Sequence, residues 1–490
     1  MSGIAVSYGI SDEAGLRRML GKLEHRGNTT GIKALKNLAL GYRKNDMNGE
    51  THGAEGETIA CIGKTCAVCD GYLLRGEQLE HDCGDIISKF YQDQGVTFLQ
   101  DLEGSFALAV SDGDSLLVAR DSFGIKPLYY GSRNDNMYFA SELKELLEVT
   151  TDINIFPPGH YYIPKEGFQP FAREKGKVEK ITTDPEQAAI QLRELIIQAV
   201  GKCHLKNEQP GILLSGGLDS SIIAAAVLQM NESMETFAVG MPGSPDLEAA
   251  SLVAQHLGTR HHEHIYTKEE IREVLSTVIY YLESFDAPLV QSAIANYFAS
   301  RLAADAGCRS VLCGEGADEL FGGYHHVKNL ESEEEMIKEV ENIFFIGHAM
   351  GFQRVDRMNS AHSMESHIPF MDGEILAFAA ATPMDWKIYG PEQIEKWILR
   401  KAFEQDLPEE VVWRRKAQFS HGTNCNTIME ELSNDHITDE EFENAKKQNE
   451  DVMLRTKEEY LYYSIFKEHY PQEAAIKSVV QWSELEGDIC

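Results

Sequence analysis

The chain has 490 residues, of which 43% are hydrophobic and 25% charged, a composition typical of a soluble protein with two or three domains. Its net charge of −33, from 78 acidic and 45 basic residues, argues against a nucleic-acid partner, because phosphate binding needs a basic surface. No apolar run reaches the roughly 18 residues that cross a membrane, and the N-terminus has no signal-peptide pattern, so we predict a cytoplasmic protein with no membrane partner.

Residues 1 to about 165 consist largely of short strand-like segments separated by Gly and Asn or Asp turns. The clearest segments are 104–110, 115–120 and 127–130. This pattern predicts a domain of stacked antiparallel sheets. The polar segment 166–184, rich in Lys and Glu, is predicted to be a linker.

Four of the nine cysteines lie close together in this region. Cys61, Cys66, Cys69 and Cys83 have a spacing that superficially matches plant-type iron–sulfur proteins. However, the residues around Cys61 and from Cys66 to Cys69 are predicted to form strands, in which side chains three positions apart point to opposite faces. We therefore expect buried free thiols, as in a reduced cytosolic enzyme, and leave open whether these four bind anything.

From residue 185 onward, helical patterns alternate with short apolar strands such as 236–240 and 310–313. This alternation predicts a parallel sheet covered by helices. Ligands of such sheets bind at the carboxyl ends of the strands. Functional residues are therefore expected directly after the predicted strands.

The segment 211–221, Gly-Ile-Leu-Leu-Ser-Gly-Gly-Leu-Asp-Ser-Ser, predicts a strand, a tight loop and a helix start that offers N–H groups to an anion. It lacks the Lys-Ser/Thr of a P-loop and the Gly-x-Gly-x-x-Gly dinucleotide fingerprint. Asp219 would repel a phosphate in this loop unless Mg²⁺ bridges the two; alternatively, Asp219 only complements the helix dipole. The pattern resembles the PP-loop of ATP pyrophosphatases, which cleave ATP to AMP and pyrophosphate.

The segment 312–324, Leu-Cys-Gly-Glu-Gly-Ala-Asp-Glu-Leu-Phe-Gly-Gly-Tyr, also predicts a strand, a Gly-bracketed turn and a helix start. Glu315, Asp318 and Glu319 would repel one another unless a cation or a bound amine shares the site. A Mg²⁺ ion between Asp219 and Asp318 would neutralise the negative charge of these two carboxylates. Glu315 would then be available for proton transfer. The alternative is a solvated acidic helix start.

With these two motifs, the chain resembles the glutamine-dependent asparagine synthetases of class B type. The resemblance extends over nearly the whole chain, through segments 356–358, 365–372, 396–403, 407–408, 415–422 and 456–460. His367 stands where the family usually has Arg, and His421 stands where it often has Asp. The resemblance implies an α/β and α+β architecture: an Ntn-hydrolase-like class-II glutamine amidotransferase domain at 1–165, a linker at 166–184, and a PP-loop synthetase domain at 185–490.

The resemblance also implies the chemistry. The side-chain carboxylate of aspartate would attack ATP, with Mg²⁺ as cofactor on Asp219 and Asp318, and ammonia would then convert the acyl-adenylate to asparagine. Glu315 would accept the proton from the amine, and Lys416 would supply positive charge. The nucleotide would be bound by Leu213, Ser215, Gly216, Gly217, Asp219, Ser220, Ser221, Val239, Cys313 and Gly314. The implied partners are these small molecules, and a homodimer is a candidate oligomeric state.

The N-terminal region keeps several elements of the family's glutaminase domain, at 25–27, 119–130 and 140–144. Its chemistry differs, because the nucleophilic Cys of the family is Ser2 here, and Asp70-Gly71-Tyr72 replaces the Asn-Gly-Glu that forms the oxyanion hole. An acid where an oxyanion develops is destabilising. Although an N-terminal Ser can be a nucleophile, we predict a domain that is inactive as a glutaminase and retained for structure, with free ammonia as nitrogen donor.

The sequence is compatible with two other functions. Relatives that lack the Cys include β-lactam synthetases and macrolactam-forming cyclases, which activate other carboxylates and use an internal amine. The Lys-Glu-Glu-Tyr and Arg-x-Lys-x-x-Phe-Ser regions are more similar to true asparagine synthetases, so we rank aspartate first. A regulatory protein with a dead site is the third possibility, and the presence of Asp219, Glu315, Asp318 and Lys416 argues against it.

Overall fold

The structure is a computed structural model that describes residues 2–45, 59–75, 78–80, 83–171, 180–181, 184–203, 210–230, 233–416, 422–423 and 425–481. None of the helices in these ranges combines the length and the apolar character that a bilayer crossing requires.

The N-terminal part of the described chain forms two antiparallel sheets. Their strands are β1 Ser2–Tyr8, β2 Thr29–Ala34, β3 Leu38–Lys44, β4 Cys61–Ile62, β5 Thr65–Arg75, β6 Gln78–Glu80, β7 Glu103–Ser111, β8 Leu116–Arg120, β9 Tyr129–Arg133, β10 Asn136–Ala140, β11 Asn154–Ile155, β12 His160–Ile163 and β13 Gly167–Pro170. The first sheet has the order β11-β9-β10-β1-β3-β2, and the second has the order β13-β12-β8-β7-β5-β4, with β6 paired to β5.

The two sheets stack face to face because their strands alternate apolar side chains toward a shared core. Val6 and Phe139 of the first sheet belong to the same buried cluster as Val68 and Val118 of the second. Helices α1 (Glu13–Gly21) and α2 (Gly84–Gln94) cover the outer faces of the first and second sheets, respectively. The predicted stack of antiparallel sheets is confirmed.

The C-terminal part of the described chain contains a five-stranded parallel sheet. Its strands are β14 Gly211–Leu213, β15 Glu235–Gly240, β16 Arg260–Ile265, β17 Ser310–Leu312 and β18 Glu365–His367, in the order β16-β15-β14-β17-β18. A small antiparallel pair follows, β19 Ile388–Tyr389 and β20 Ile394–Glu395. The predicted parallel sheet with helical cover is confirmed as well.

Helices surround this sheet and complete its core. They are α3 Leu143–Leu146 at the junction with the N-terminal part, then α4 Pro185–Lys202, α5 Leu218–Leu228, α6 Pro245–Leu257, α7 Lys268–Leu282, α8 Ala287–Asp305, α9 Ala317–Phe321, α10 Glu333–Ile346, α11 Gly351–Ser360, α12 Gly373–Ala381, α13 Met384–Lys387, α14 Trp397–Phe403, α15 Glu409–Val412, α16 Cys425–His436, α17 Asp439–Gln448, α18 Lys457–His469 and α19 Glu473–Lys477.

The topology of the parallel sheet fixes the place of its ligand site. Strand β15 lies on one side of β14 and β17 lies on the other, so the chain leaves β14 at the point where the strand order reverses. A crevice opens at the carboxyl ends of the strands at such a point. Both motif loops, 214–217 after β14 and 313–316 after β17, lie at this crevice.

The predicted strands agree closely with the structure, with small differences at their ends. Residues 127–128 precede β9 instead of forming part of it, and β13 continues the second sheet to residue 170, past the predicted domain boundary at 165. The domain boundaries themselves stay a prediction.

The expectation of free thiols was wrong for one pair of cysteines. Strands β4 and β5 form a hairpin whose register places Cys61 opposite Cys66, and the two sulfurs form a disulfide. Cys66 faces the core between the sheets, whereas Cys69 packs on the opposite face of β5, as the strand prediction required. Cys69 and Cys83 are free thiols. The spacing alone did not reveal the hairpin that brings the first two cysteines together.

Buried ion pairs join the N-terminal sheets to the C-terminal part. Arg26 Nη2 lies 2.5 Å from Asp356 Oδ2, and Lys126 Nζ lies 3.1 Å from Asp356 Oδ1. Arg357 Nη1 lies 2.7 Å from Glu142 Oε1. All five side chains are almost completely buried. Such pairs hold the two parts in one relative position, because separating them would leave buried charges without partners.

A further contact of the same kind uses backbone groups. The Glu283 carboxylate, at the end of α7, accepts hydrogen bonds of 2.9 Å from the backbone N–H groups of Leu143 and Lys144 at the start of α3. Arg357 Nη2 donates to the same carboxylate across 2.7 Å. Segments 25–27, 119–130 and 140–144 thus each contribute to the contact with the C-terminal part.

Candidate active site

The loop 214–217, which we call the Ser-Gly-Gly loop, turns the chain sharply from β14 into α5. Gly216 has a φ of +68°, and a Cβ atom there would lie 2.3 Å from the backbone N of Ala250, so only glycine fits. The side chains of Ser220 and Ser221 bond back to the loop, Ser220 Oγ accepting from Ser215 N at 3.2 Å. The first N–H groups of α5 therefore point into the crevice, where they can bind an anion.

The loop 313–316, which we call the Gly-Glu-Gly loop, lies directly against the Ser-Gly-Gly loop. A Cβ atom on Gly314 would lie 2.8 Å from the backbone N of Ser220. Gly316 has a φ of +92°, and its N–H donates to Glu319 Oε2 across 3.0 Å at the start of α9. Glycine at position 314 lets this loop approach the start of α5 closely, and Asp219 and Asp318 both lie within hydrogen-bond distance of Lys396.

Two lysines occupy the space around these aspartates. Lys396 Nζ lies 2.9 and 2.8 Å from the two carboxylate oxygens of Asp219 and 2.7 Å from Asp318 Oδ1. Lys416 Nζ lies 2.5 Å from Asp318 Oδ2 and 4.4 Å from the centre of the Tyr324 ring. Two lysine ammonium groups thus lie beside the acidic motif; the family resemblance implied Lys416 at this site, whereas Lys396 was not predicted.

The charges in this cluster shift one another's ionisation. Burial raises the pKa of Asp318, but the charges of Lys396 and Lys416 outweigh burial and hold that pKa below its usual value. Burial also raises the pKa of Asp219, and Lys396 only partly offsets this effect. Although burial lowers the pKa of Lys396, the two carboxylates raise it above its usual value. Asp318 and Lys396 therefore stay charged at neutral pH.

The other two acids of the motif 312–324, Glu315 and Glu319, have separate partners. Glu315 Oε1 forms an ion pair with Arg354 Nη2 of α11. Glu319 accepts a hydrogen bond of 2.8 Å from the Tyr324 hydroxyl, and burial raises the pKa of this carboxyl. Glu315 is the more accessible acid of the two and faces the cavity, so it is the better candidate for proton transfer.

These groups line a cavity of about 390 Å³ at the carboxyl ends of β14 and β17. Most of the predicted site residues lie in its wall: Leu213, Ser215, Gly217, Asp219, Ser220, Val239, Cys313, Gly314, Glu315, Asp318 and Lys416. Gly216 and Ser221 do not line it; Gly216 forms the turn, and the Ser221 hydroxyl donates to the carbonyl of Gly217 across 2.7 Å. The catalytic, nucleotide-binding and metal-binding roles assigned to these residues stay predictions.

Sequence reasoning missed Lys396 and Arg354. Lys396 belongs to the segment 396–403 that resembles the family, but no local pattern distinguishes it from a surface lysine. Arg354 lies in a helix whose sequence gives no sign that its side chain reaches Glu315. Of the matched segment 415–422, residues 417–421, including His421, lie outside the described residues.

The carboxylates of Asp219 and Asp318 offer oxygen donors to a Mg²⁺ ion. Asp219 and Asp318 both lie within hydrogen-bond distance of Lys396, so one small cation could contact both carboxylates. Within the described ranges, no group of three or more His, Cys, Asp or Glu side chains could hold a metal by itself. Hard carboxylate oxygens suit Mg²⁺, which commonly takes its other ligands from phosphate and water. The residues fit a magnesium ion that binds together with a nucleotide.

A second cluster of predicted residues lies in the N-terminal part. Ser2 Oγ donates to Asp70 Oδ1 across 3.2 Å, and the Gly71 N–H donates to Ser2 Oγ across 3.2 Å. Ser141 Oγ donates to Asp70 Oδ2 across 3.1 Å. Burial raises the pKa of Asp70 to about 6, although Lys126 and Arg26 lower it. The Ser2 hydroxyl is thus held by an acid on one side and a backbone N–H on the other.

Comparison with known proteins finds two family models that match the chain. A family model described as asparagine synthase matches residues 191–349 and 344–486, and one described as a glutamine amidotransferase domain matches residues 75–148. The chain is 32% identical to the glutamine-hydrolysing asparagine synthetase 2 of Arabidopsis thaliana, over 98% of this chain and 89% of that protein. It is 34% identical to the glutamine-hydrolysing asparagine synthetase B of Escherichia coli strain K12, over 93% of this chain and 88% of that protein.

The parallel sheet with its PP-loop crevice, joined to an amidotransferase-type domain, defines an ATP-dependent ligase that forms carbon–nitrogen bonds. The chain belongs to the asparagine synthetase family.

Proposed function

We propose that this chain is an asparagine synthetase that activates the side-chain carboxylate of aspartate with ATP and amidates it with free ammonia. The relatives named above are glutamine-hydrolysing asparagine synthetases. The presence of Asp219, Glu315, Asp318 and Lys416 in the cavity wall supports the proposal. The observation that carries the choice of ammonia is the hydrogen bond between Ser2 and the buried Asp70. A cytoplasmic location and a homodimer stay predictions.

The first step forms an acyl-adenylate. A carboxylate oxygen of aspartate bonds to the α-phosphorus of ATP, the bond from that phosphorus to the bridging oxygen breaks, and pyrophosphate leaves. The N–H groups of the Ser-Gly-Gly loop and α5 bind the departing phosphates, and Lys416 offsets negative charge on the pentavalent phosphorus. A magnesium ion on Asp219 and Asp318 would neutralise phosphate charge and so favour departure of pyrophosphate.

The second step transfers nitrogen. Ammonia attacks the acyl carbon, a proton passes from the nitrogen to Glu315, and the bond from carbon to the phosphate oxygen breaks, which releases AMP and asparagine. Glu315 is suited to this role because it lines the cavity beside Cys313 and Gly314. Arg354 holds the Glu315 carboxylate in place before substrate arrives.

The Ser2 environment supports ammonia as the nitrogen source. A glutaminase needs donors aimed at the developing oxyanion, and Asp70 offers carboxylate oxygens at the position where the family has Asn. Those oxygens already accept hydrogen bonds from Ser2 and Ser141. The segments around this cluster instead supply buried ion pairs to the C-terminal part, such as Arg26 with Asp356. We propose that the N-terminal domain has a structural role.

The test supplies full-length protein with ATP, Mg²⁺ and aspartate, and measures pyrophosphate release and asparagine formation with either ammonium or glutamine. Product with ammonium and none with glutamine is the expected result. Product with glutamine, abolished in Ser2→Ala, would show that the glutaminase works. Pyrophosphate release with another carboxylate, and none with aspartate, would overturn the choice of acceptor.

A further inference from the structure

One cationic side chain in the cavity wall, within the described part of the chain, is not paired with any of the carboxylates around it. Seven cationic side chains line the cavity, in a chain with a net charge of −33. Six of them form ion pairs: Arg354 with Glu315, Lys396 with Asp219, Arg400 with Glu395, Arg414 with Asp246, Lys416 with Asp318, and Arg455 with Glu459. The seventh is Arg415, which is exposed and has no carboxylate partner within the described ranges.

The backbone on both sides of Arg415 is fixed by buried or partly buried side chains. Arg400 Nη1 donates to the carbonyl oxygen of Arg414 across 3.0 Å. Glu395 Oε1 accepts a hydrogen bond of 3.2 Å from the backbone N of Lys416. The position of Arg415 in the cavity wall is therefore set by its neighbours and does not depend on a partner for its own side chain.

The segment that carries Arg415 is attached to the anion-binding end of the cavity. Arg414 Nη1 donates across 3.4 Å to the carbonyl oxygen of Gly216 in the Ser-Gly-Gly loop, and Arg414 Nη2 lies 2.8 Å from Asp246 Oδ1. On the other side, Lys416 reaches Asp318. Arg415 thus lies between a residue bound to the phosphate loop and a residue bound to the acidic cluster.

We propose that Arg415 binds the β- and γ-phosphates of ATP and the pyrophosphate that leaves; the inference rests on the proposed adenylation chemistry. A guanidinium fork matches phosphate oxygens, and an arginine without a carboxylate partner has all its donors available for them. The acceptor carboxylate must lie near Glu315, which pairs with α11, whereas Arg415 belongs to the segment attached to the Ser-Gly-Gly loop. Phosphate is therefore the ligand that its position favours.

The experiment measures binding of magnesium pyrophosphate to the full-length protein by calorimetry, without turnover. Arg415→Gln should weaken binding by about 10- to 100-fold, because the loss of charge-assisted hydrogen bonds has that size, and Arg415→Lys should retain part of the affinity. The matched control is Arg272→Gln, which removes an exposed arginine of α7 and should leave the affinity unchanged. Equal affinity of Arg415→Gln and the wild type would overturn the proposal.

Steady-state kinetics separate this inference from the proposed function. Arg415→Gln should raise the KM for ATP and the inhibition constant for pyrophosphate, with the KM for aspartate unchanged. A rise in the KM for aspartate alone would place Arg415 at the acceptor and overturn the proposal. If pyrophosphate binding depends on Arg415 but the wild type makes no asparagine, the proposed function fails and the phosphate role stands.

Discussion

Ser2 Oγ donates a hydrogen bond to Asp70 Oδ1 across 3.2 Å, between the first strand and the middle of β5. In the family, these two positions supply the nucleophile and an oxyanion donor. Here Ser2 and Asp70 belong to a buried cluster that also includes the Ser141 hydroxyl. A change at Ser2 alone therefore leaves the acid in place, whereas a change at Asp70 alters the electrostatics of the whole cluster.

Ser2→Ala should leave ammonium-dependent asparagine formation unchanged, because Ser2 does not line the cavity that holds Glu315 and Lys416. Ser2→Cys should also give no glutamine-dependent activity, because Asp70 still offers an acceptor where the oxyanion needs a donor. The measurement is asparagine formation and glutamate release with each nitrogen source. Glutamate release by Ser2→Cys would show that Asp70 is compatible with glutaminase chemistry.

Asp70→Asn should stabilise the protein more at pH 8 than at pH 5. The pKa of Asp70 is raised to about 6 in the fold, so the folded protein binds this proton more tightly than the unfolded chain. That stabilisation is complete below the unfolded pKa of about 4 and is lost as pH rises through about 6. An asparagine at this position does not titrate, so it does not lose stability as the pH rises. Thermal midpoints across this pH range provide the test.

The control for this change is Asp93→Asn, which neutralises an exposed carboxylate on α2. A pH-dependent gain of similar size in both variants would mean that a general charge effect, and not the burial of Asp70, is responsible.

Asp356→Asn should destabilise the contact between the N- and C-terminal parts, because it removes one partner from Arg26 and Lys126 together. Breaking a buried pair in this way typically costs about 3–5 kcal/mol. Burial raises the pKa of Asp356, but Arg26 and Lys126 outweigh burial and lower it. The stabilisation from these pairs is present above the unfolded pKa and is lost as pH falls through the folded value.

Thermal unfolding of Asp356→Asn and of the exposed control Asp385→Asn would measure this effect at pH 7. We expect a clearly lower midpoint for the first variant only. An unchanged midpoint in Asp356→Asn would show that the ion pairs do not hold the two parts together.

Glu315→Gln should slow asparagine formation by about 10²- to 10⁴-fold, the usual effect of removing a general base. Adenylation should largely persist, because Lys416 and the Ser-Gly-Gly loop remain. Rapid-quench measurement of pyrophosphate and asparagine would separate the two steps, with the exposed Glu269→Gln as control. Full asparagine formation by Glu315→Gln would remove Glu315 from the mechanism.

Asp318→Asn should raise the Mg²⁺ concentration needed for half-maximal pyrophosphate release, because it removes one of two carboxylates that fit the ion. It also removes the partner that Lys396 and Lys416 share. The measurement is a Mg²⁺ titration at fixed ATP. An unaltered Mg²⁺ dependence would count against the assignment of Asp318 to the metal.

The sequence by itself determined the fold class and the two motif loops. Their signals are local: an apolar run, a glycine-bracketed turn and a helix start within a dozen residues specify strand, loop and helix wherever the segment lies. The adjacency of the loops also followed from the sequence, because carboxyl ends of parallel strands share one edge. Gly314 confirms this, because a Cβ atom there would lie 2.8 Å from the backbone N of Ser220.

The tertiary structure alone decided which side chains complete the site. Lys396 reaches Asp219 across 177 positions of sequence, and Ser2 meets Asp70 across 68. The Cys61–Cys66 disulfide depends on the register of a hairpin. Such contacts are set by how distant elements pack, and the residues next to each partner in sequence do not encode them. The local chemistry was therefore predictable, whereas the charge balance of both clusters required the fold.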